Sequence, residues 1–196
     1  SALGFDDKGR LIGITRSREK VRTLRIYELG ETPRYDERTL PPDDGPSELF
    51  HGGCKRPALW STTGKTAQRW EGDGFGAPIE QPEKSIVLGV DHQRDLVVAK
   101  VVPMMLNGFG NVTIGNELHF LSSGEKVETR QAQDGGLSLA EDGRHGLLVT
   151  VDRQVLQTDD GGRTFAPIAA PASAVGQPVL CGKDRCLLGP GAYREG

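Results

Sequence analysis

The stretch Thr158-Asp159-Asp160-Gly161-Gly162-Arg163-Thr164-Phe165 carries the strongest information about fold in this 196-residue chain. Short apolar runs lead into it and out of it. Asp side chains accept hydrogen bonds from nearby backbone N–H groups, and glycine adopts positive φ without a Cβ clash. The stretch therefore predicts a tight hairpin between two strands. In that hairpin Thr158 and Thr164 would bond across the turn, and Phe165 would fold back as an apolar plug.

The same residues match a known repeat pattern, Ser/Thr-x-Asp-x-Gly-x-Thr-Trp/Phe. Its fixed positions are filled by Thr158, Asp160, Gly162, Thr164 and Phe165. The stretch thus resembles the Asp-box, or bacterial neuraminidase repeat. The resemblance implies a structural turn between the third and fourth strands of a β-propeller blade, on the face opposite any active site. An ordinary Asp-Gly hairpin is the alternative interpretation.

The composition of the whole chain favours many short strands. Glycine (27 residues) and proline (12 residues) are abundant, which suits strands joined by tight turns. No long apolar stripe with a helical period is present, so little helix is expected. A chain of this length can form a substantial core, and we predict one propeller domain, or a fragment of one, over residues 1–196.

Charge and hydropathy limit the possible partners. The chain has 24 basic and 27 acidic residues and a net charge of −3, which gives no reason to expect nucleic acid or an anionic membrane surface as a partner. No apolar run approaches membrane-spanning length, and no signal peptide is recognisable. No cofactor or metal site is predicted, because the sequence contains no complete calcium loop and no zinc-ligand spacing.

Two cysteines near the C-terminal end carry a prediction about location. Cys181 and Cys186 flank four residues that would form a hairpin loop, and cysteines that face each other across a hairpin can reach disulfide distance. We predict this disulfide, with two reduced core thiols as the alternative. A disulfide indicates a secreted, periplasmic or cell-surface protein. Cys54 is left over, either as a buried free thiol or as a partner for a cysteine of another chain.

Spacing indicates a second, weakened copy of the hairpin. The tripeptide Ala-Pro-Ile occurs at residues 77–79 and again at 166–168, a separation of 89 residues, and residues 69–75 would be a decayed Asp-box. Leucines that follow polar turns give nearly the same distance, 88 residues from Leu59 to Leu147. A repeat of about 44 residues matches a four-stranded propeller blade.

The repeat predicts strands in groups of up to four. The predicted spans are 11–15, 23–29 and 35–40; 48–51, 58–61, 66–70 and 75–80; 86–90, 96–101, 117–121 and 127–131; and 136–140, 145–151, 154–158 and 164–169, with a hairpin over 179–188. The predicted fold class is therefore all-β, a propeller of about four to five antiparallel four-stranded blades, with a β-sandwich as the alternative. Three arrangements are compatible with this number of blades: a small ring, a part of a longer propeller, or a ring completed by a second chain. Open sheet edges invite pairing with another chain.

One connection on the face opposite the Asp-box is a candidate binding loop. Residues 101–111 are apolar and contain Met104, Met105 and Phe109, including both methionines of the chain. Methionine adapts to irregular partner surfaces, so this loop predicts contact with a ligand or protein. The alternative is a loop or extra strand that belongs to the core.

A basic connection is the second candidate. Arg16 and Arg18 lie in a run of charged residues, and Arg25 follows in the next predicted strand. Arginine recognises carboxylate groups bidentately, so these three residues could bind an anionic group. A solvated turn is the alternative.

Sialidases share the Asp-box resemblance, and their chemistry needs three arginines, an acidic acid/base residue and a Tyr–Glu nucleophile pair. The segment Leu24-Arg25-Ile26-Tyr27 resembles their early Phe/Tyr-Arg-Ile-Pro motif, but Tyr27 replaces the proline and no second or third arginine can be assigned. Other Asp-box glycosidases use two carboxylates. Glu28, Asp91 and Asp95 are available for that role, but their spacing does not select a pair.

The predicted function is therefore a non-catalytic binding or scaffold module outside the cytoplasm, with a protein or carbohydrate ligand. Sortilin-type receptors and photosystem assembly factors in the same family resemblance are interaction proteins of this kind. A sialidase-like or related glycoside hydrolase is the alternative, since a fold does not fix a function.

Overall fold

The structure is a computed structural model that describes residues 2–19, 21–28, 30–40, 48–52, 58–63, 65–106, 109–169, 179–181 and 186–188, in some strands by the backbone alone. The described residues form antiparallel β-sheets and contain no helix. The all-β prediction is confirmed. The chain divides into two compact units, Ser1–Gln81 and Pro82–Gly196, called the N-terminal and C-terminal units below. The prediction of one domain stays a prediction.

The N-terminal unit contains two four-stranded meanders, in which consecutive strands pair. Sheet 1 consists of β1 (Ala2–Phe5), β2 (Leu11–Arg16), β3 (Arg22–Glu28) and β4 (Arg34–Leu40), and sheet 2 of β5 (Glu48–Gly52), β6 (Ala58–Thr62), β7 (Thr66–Arg69) and β8 (Ile79–Glu80). The sequence predicted seven of these eight strands. The exception is β1, which completes the first meander.

The C-terminal unit contains an eight-stranded sheet made of two further meanders, and a short hairpin. Sheet 3 consists of β9 (Ser85–Val90), β10 (Leu96–Leu106), β11 (Phe109–Phe120) and β12 (Glu125–Glu128); sheet 4 of β13 (Ala132–Leu139), β14 (Gly146–Thr150), β15 (Val155–Thr158) and β16 (Ala166–Pro167); and the hairpin of β17 (Val179–Cys181) and β18 (Cys186–Leu188). One residue pair, Ile114 with Ala132, joins sheet 3 to sheet 4. All ten strands overlap their predicted spans.

Each unit has its own apolar core. In the N-terminal unit, inward side chains alternate along β2 and β3 with the period of two that a strand requires. The buried members of this core are Ile12, Ile14, Leu24, Ile26, Leu59 and Trp70. Both meanders of the C-terminal unit contribute to its core, whose buried members are Val97, Ala99, Ile114, Leu118, Phe120, Ala132, Leu137, Leu139, Leu148 and Leu156. Burying one large side chain of this kind contributes about 1.5–3 kcal/mol.

Within each unit, the first strands of successive meanders lie close together. β1 contacts β5 in the N-terminal unit, and β13 contacts both β9 and β17 in the C-terminal unit. Gly4 on β1 permits a close approach, because a Cβ at this position would lie only 2.6 Å from Leu59 Cδ1. No sheet of the described residues closes on itself, so the propeller stays a prediction.

Candidate functional site

The two ends of each meander differ in the turns they carry. Antiparallel pairing places the turns between strands one and two and between strands three and four at one end, and the turn between strands two and three at the other. We call the first the box end, because residues 158–165, which resemble the Asp-box and are called the Asp-box turn below, connect the third and fourth strands of sheet 4. The second is called the arm end, after the β10–β11 connection.

Asp160 is the centre of the Asp-box turn. Its Oδ1 atom accepts hydrogen bonds from the backbone N–H groups of Arg163 and Thr164, each at 2.9 Å. The hydroxyls of Thr158 and Thr164 donate to its carboxylate at 2.8 and 2.6 Å. The two threonines therefore meet on Asp160, which is how they bridge the turn. Phe165 is half-buried against the C-terminal core, as predicted.

These hydrogen bonds also set the charge of Asp160. Burial raises the pKa of its carboxyl group, but the hydrogen bonds from Thr164, Thr158 and the Arg163 N–H outweigh burial and hold the pKa below its ordinary value. Hydrogen bonds to the charged form of a carboxyl group favour that form. The turn is thus built around an ionised carboxylate.

Glycine is required at the tip of this turn. Gly161 and Gly162 have φ angles of 79° and 98°, in the region that favours glycine. A Cβ at Gly161 would lie 2.8 Å from the carbonyl oxygen of Gly143 and 3.0 Å from Asp91 Cβ. The Asp-box turn is therefore seated directly against the one–two turns of sheets 3 and 4.

Arg163 extends from the Asp-box turn into sheet 3. Its guanidinium group pairs with Asp91, with Asp95 at 3.1 Å and with Glu125 at 2.8 Å. It also lies over the ring of Phe120, 4.2 Å from the centroid. The Asp91 and Asp95 side chains are only 0% and 3% exposed. Buried carboxylates need such a partner, so Arg163 neutralises charge that sheet 3 buries.

Asp91 also closes the β9–β10 turn. Its Oδ1 atom accepts hydrogen bonds from the backbone N–H groups of Gln93 at 2.9 Å and Asp95 at 2.8 Å. The Oδ1 atom of Asp95 accepts a hydrogen bond from the Ser123 N–H in the β11–β12 turn at 2.7 Å. Both of these candidate carboxylates are therefore engaged by backbone N–H groups and by Arg163. The third candidate, Glu28, lies at the exposed end of β3.

The β1–β2 turn of sheet 1 has the same design. Asp6 Oδ1 accepts hydrogen bonds from the backbone N–H groups of Lys8 at 3.0 Å and Arg10 at 2.8 Å. The Arg10 guanidinium pairs with Asp6 at 2.8 Å and reaches Asp73 at 3.3 Å and the carbonyl oxygen of Gly72. This one–two turn thus also binds a three–four turn of the next sheet.

The turn that Arg10 reaches is the weakened box. Residues 70–75 of this stretch lie in the connection from β7 to β8, which is the predicted position between third and fourth strands. The Glu71 N–H donates to the Gly74 carbonyl at 2.9 Å. Trp70 packs edge-on against Phe75, with the ring centroids 5.1 Å apart. Phe75 fills the place of the aromatic plug, while the Thr–Asp–Thr set of the complete box is lacking.

The predicted arginine site is not brought together on one surface. Arg16 and Arg18 are exposed at the β2–β3 turn. Arg16 is the cross-strand partner of Arg22, which lies on the core face of sheet 1, whereas Arg25 lies on the opposite face. Arg25 pairs with Glu37 at 2.8 Å, and this hydrogen bond raises the pKa of the guanidinium group. The sequence could not show this division, because it depends on strand register.

The apolar connection with Met104, Met105 and Phe109 is strand rather than loop. β10 and β11 continue past the rest of sheet 3 as a two-stranded arm, residues 102–106 paired with residues 109–113. Beyond Val101, no other described strand pairs with this part of β10. The backbone is thus the extra strand that the alternative interpretation included, while the binding role of these residues stays a prediction. Proline is tolerated where a strand edge needs no donor.

The hairpin of β17 and β18 places Cys181 directly opposite Cys186. A disulfide requires facing positions, and the backbone register meets that requirement. The side chains of this hairpin lie outside the described residues, so the disulfide and the extracytoplasmic location stay predictions. Cys54 also lies outside the described residues.

Comparisons with known proteins assign no family. No protein-family model matches the chain, and no curated protein matches it. Among the side chains that the structure describes, no group of three or more His, Cys, Asp or Glu residues is placed to hold a metal ion. The described part of the chain also contains no helix long and apolar enough to span a membrane. The Asp-box resemblance therefore rests on the residues of the motif.

Proposed function

We propose that this chain is a non-catalytic binding or scaffold module of the Asp-box β-propeller type, which binds a protein or carbohydrate ligand outside the cytoplasm. Consecutive four-stranded meanders support the architecture, because propellers consist of such sheets around a common axis. The contacts between first strands within each unit support it further. The box turn has the place between third and fourth strands that the resemblance implies.

The difference between the two ends of sheet 3 carries the functional proposal. At the box end, the carboxylates of Asp91 and Asp95 and the guanidinium of Arg163 are engaged with one another. At the arm end, residues 102–106 and 109–113 extend past the other strands of the sheet. Binding residues are commonly carried on segments that a rigid scaffold holds in place. The arm is therefore the candidate binding element.

The residue types of the arm favour a protein ligand over a carbohydrate. Residues 101–116 contain no charged side chain, although 26% of the chain is charged. Protein interfaces are enriched in methionine and aromatic residues and depleted of charge at their centre. Met104, Met105 and Phe109 supply this chemistry within a few residues of one another.

Photo-crosslinking from the arm tests this function. The two methionines of the chain are both in the arm, so a photoreactive methionine analogue incorporated into a chain beginning at Ser1 labels only this element. Incubation with the surface and secreted proteins of the source cells should give a covalent adduct with a protein. Unlabelled chain should compete for this adduct, whereas unlabelled chain carrying Met104→Asp and Met105→Asp should not.

Two outcomes would contradict the proposal. One is the absence of any adduct that unlabelled chain can compete for. The other is hydrolysis of fluorogenic glycosides by the purified chain, which would instead support the glycoside hydrolase alternative. A Val151→Asp variant is the matched control, since Val151 is an exposed apolar residue (45% exposed) in a turn outside the arm.

A further inference from the structure

The face of sheet 1 that points away from the N-terminal core carries an exposed apolar row. Phe5, Leu11, Tyr27 and Tyr35 are consecutive cross-strand partners, one from each strand of the sheet. We call these four residues the aromatic row. The opposite face of the same strands carries Ile12, Ile14, Leu24 and Ile26 of the buried core.

The aromatic row is open at both ends. Phe5 is 47% exposed and Tyr35 is 62% exposed. The rings of Tyr27 and Tyr35 stack with centroids 5.8 Å apart and planes 21° apart, which gives a flat apolar surface. Contiguous exposed apolar surface of this kind marks interaction sites on proteins. Tyrosine is also among the residues that contribute most to protein interfaces.

The corresponding face of sheet 3 is buried. Leu11 follows the Asp6 turn as Leu96 follows the Asp91 turn, so Leu11 corresponds to Leu96 and Gly13 to Val98. Leu96 and Val98 are both 0% exposed, although they alternate with the residues that face the C-terminal core. In sheet 3 these two positions are therefore covered. In sheet 1 Gly13 is also buried, but Phe5 and Tyr35 at the two ends of the row are exposed.

The open face is complementary to itself in charge. Beside the aromatic row, Arg25 and Glu37 form a neutral pair with side chains 38% and 41% exposed. A two-fold axis that runs along the strands between β3 and β4 would place Arg25 over Glu37 of a second copy, and Tyr27 over Tyr35 of that copy. Two identical faces can then meet without opposing like charges, as a symmetric dimer interface requires.

We infer that a second copy of this chain covers the β3–β4 half of the outward face of sheet 1 in a two-fold symmetric dimer. The outward residues of this half number six, namely Thr23, Arg25, Tyr27, Tyr35, Glu37 and Thr39, fewer than the roughly 20–30 residues on each side of a standard interface. The dimer is therefore weak, with a dissociation constant roughly between 1 µM and 1 mM.

Sedimentation equilibrium from about 1 µM to about 1 mM brackets that constant. The average mass should rise with concentration towards twice the monomer mass. Tyr35→Ser should weaken the dimer at least tenfold, because it removes the most exposed ring of the aromatic row. Val151→Ser, which changes a comparably exposed apolar residue (45%) in the C-terminal unit, should leave association unchanged. Circular dichroism checks that both variants keep their fold.

A charge exchange tests the orientation of the two copies. Arg25→Glu and Glu37→Arg should each be monomeric alone, because like charges then face each other. Mixing the two variants should restore a heterodimer in which opposite charges face each other. Three results would each overturn the inference. The first is a chain that stays monomeric up to about 1 mM, and the second is a dimer that Tyr35→Ser does not weaken more than Val151→Ser. The third is a mixture of the two charge variants that does not associate.

Discussion

At the box end of the C-terminal unit, Arg163 on a three–four turn pairs with Asp91 and Asp95 on the one–two turn of the preceding sheet. In the N-terminal unit the signs are reversed, since Arg10 on a one–two turn pairs with Asp73 on a three–four turn of the next sheet. Arg10 and Asp95 hold the same place, four residues after the aspartate that begins each turn. The same connection between turns is thus made with exchanged charges.

The two connections differ in burial. Asp91 and Asp95 are almost inaccessible to solvent, whereas the Asp73 side chain is 79% exposed. Removing the partner of a buried charge costs several kcal/mol, while an exposed ion pair contributes about 0–1 kcal/mol. The buried network lies at the complete Asp-box turn, and the exposed pair lies at the weakened box. At both connections an arginine–aspartate pair joins a one–two turn to a three–four turn, and burial decides how much that pair contributes to stability.

The largest effect is expected for Arg163→Ala. The change leaves the buried carboxylates of Asp91 and Asp95 without their cationic partner, and should lower the free energy of unfolding by about 3–5 kcal/mol. Urea denaturation followed by far-UV circular dichroism measures this. Arg130→Ala is the matched control, because the Arg130–Asp152 pair is 55% and 56% exposed, and should cost less than about 0.5 kcal/mol. Equal costs would contradict the role of burial.

Fluorescence sharpens the same experiment. The chain has two tryptophans, and both Trp60 and Trp70 belong to the N-terminal unit. Tryptophan emission therefore reports on that unit, while circular dichroism reports on both. Arg163→Ala should move the circular dichroism transition further than the fluorescence transition. Coincident shifts would show that the two units unfold as one.

A smaller effect is expected for Asp160→Ala. The variant loses two hydroxyl and two backbone hydrogen bonds of the Asp-box turn, and the free energy of unfolding should fall by about 1–3 kcal/mol. Asp73→Ala in the weakened box should lower the free energy of unfolding by less than about 0.5 kcal/mol. Urea denaturation of the two variants side by side compares the boxes. If Asp73→Ala costs as much, the second turn is not a reduced version of the first.

The smallest effect is expected in the pH dependence of the Asp-box. The pKa of Asp160 is lower in the folded protein than its ordinary value, so its ionised form stabilises the fold. That contribution is present above the unfolded-state pKa, about 3.9, and is lost as the pH falls through the folded-state pKa. The stability difference between the wild type and Asp160→Asn should therefore shrink below about pH 4. Urea denaturation from pH 7 downwards measures it, and a constant difference would contradict the assignment.

The strand positions were largely predictable, because short runs of polar residues and glycine mark the turns in the sequence itself. Polar turns before Leu11, Leu96 and Leu147 marked strand starts correctly. The strand β1 was missed because no turn precedes it in the sequence. The arm was predicted as a binding loop, with a loop or extra strand of the core as the alternative, and only the pairing of β10 with β11 shows that its backbone is strand. Pro103 is tolerated there because proline can lie on a strand edge that needs no donor.

The candidate sites were less predictable, because register decides which side chains meet. Arg16 and Arg25 are close in the sequence, yet they lie on opposite faces of sheet 1. The aromatic row joins residues as far apart as Phe5 and Tyr35, and no local pattern connects them. The charge-rich turns around Asp91 gave no signal that their carboxylates were held by an arginine from another sheet.

By itself, the sequence determined most of the turns and the strand class, since turns such as those at Asp6, Asp91 and Asp160 are closed by side-chain hydrogen bonds to backbone groups only two to four residues away. The Asp-box is the clearest case, with Asp160 bonded to Arg163 and Thr164. The tertiary structure alone decided which turns meet and which charges are buried. Arg163 reaches Asp91 across 72 residues of sequence, because sheet packing brings the two turns together and excludes water from the pair.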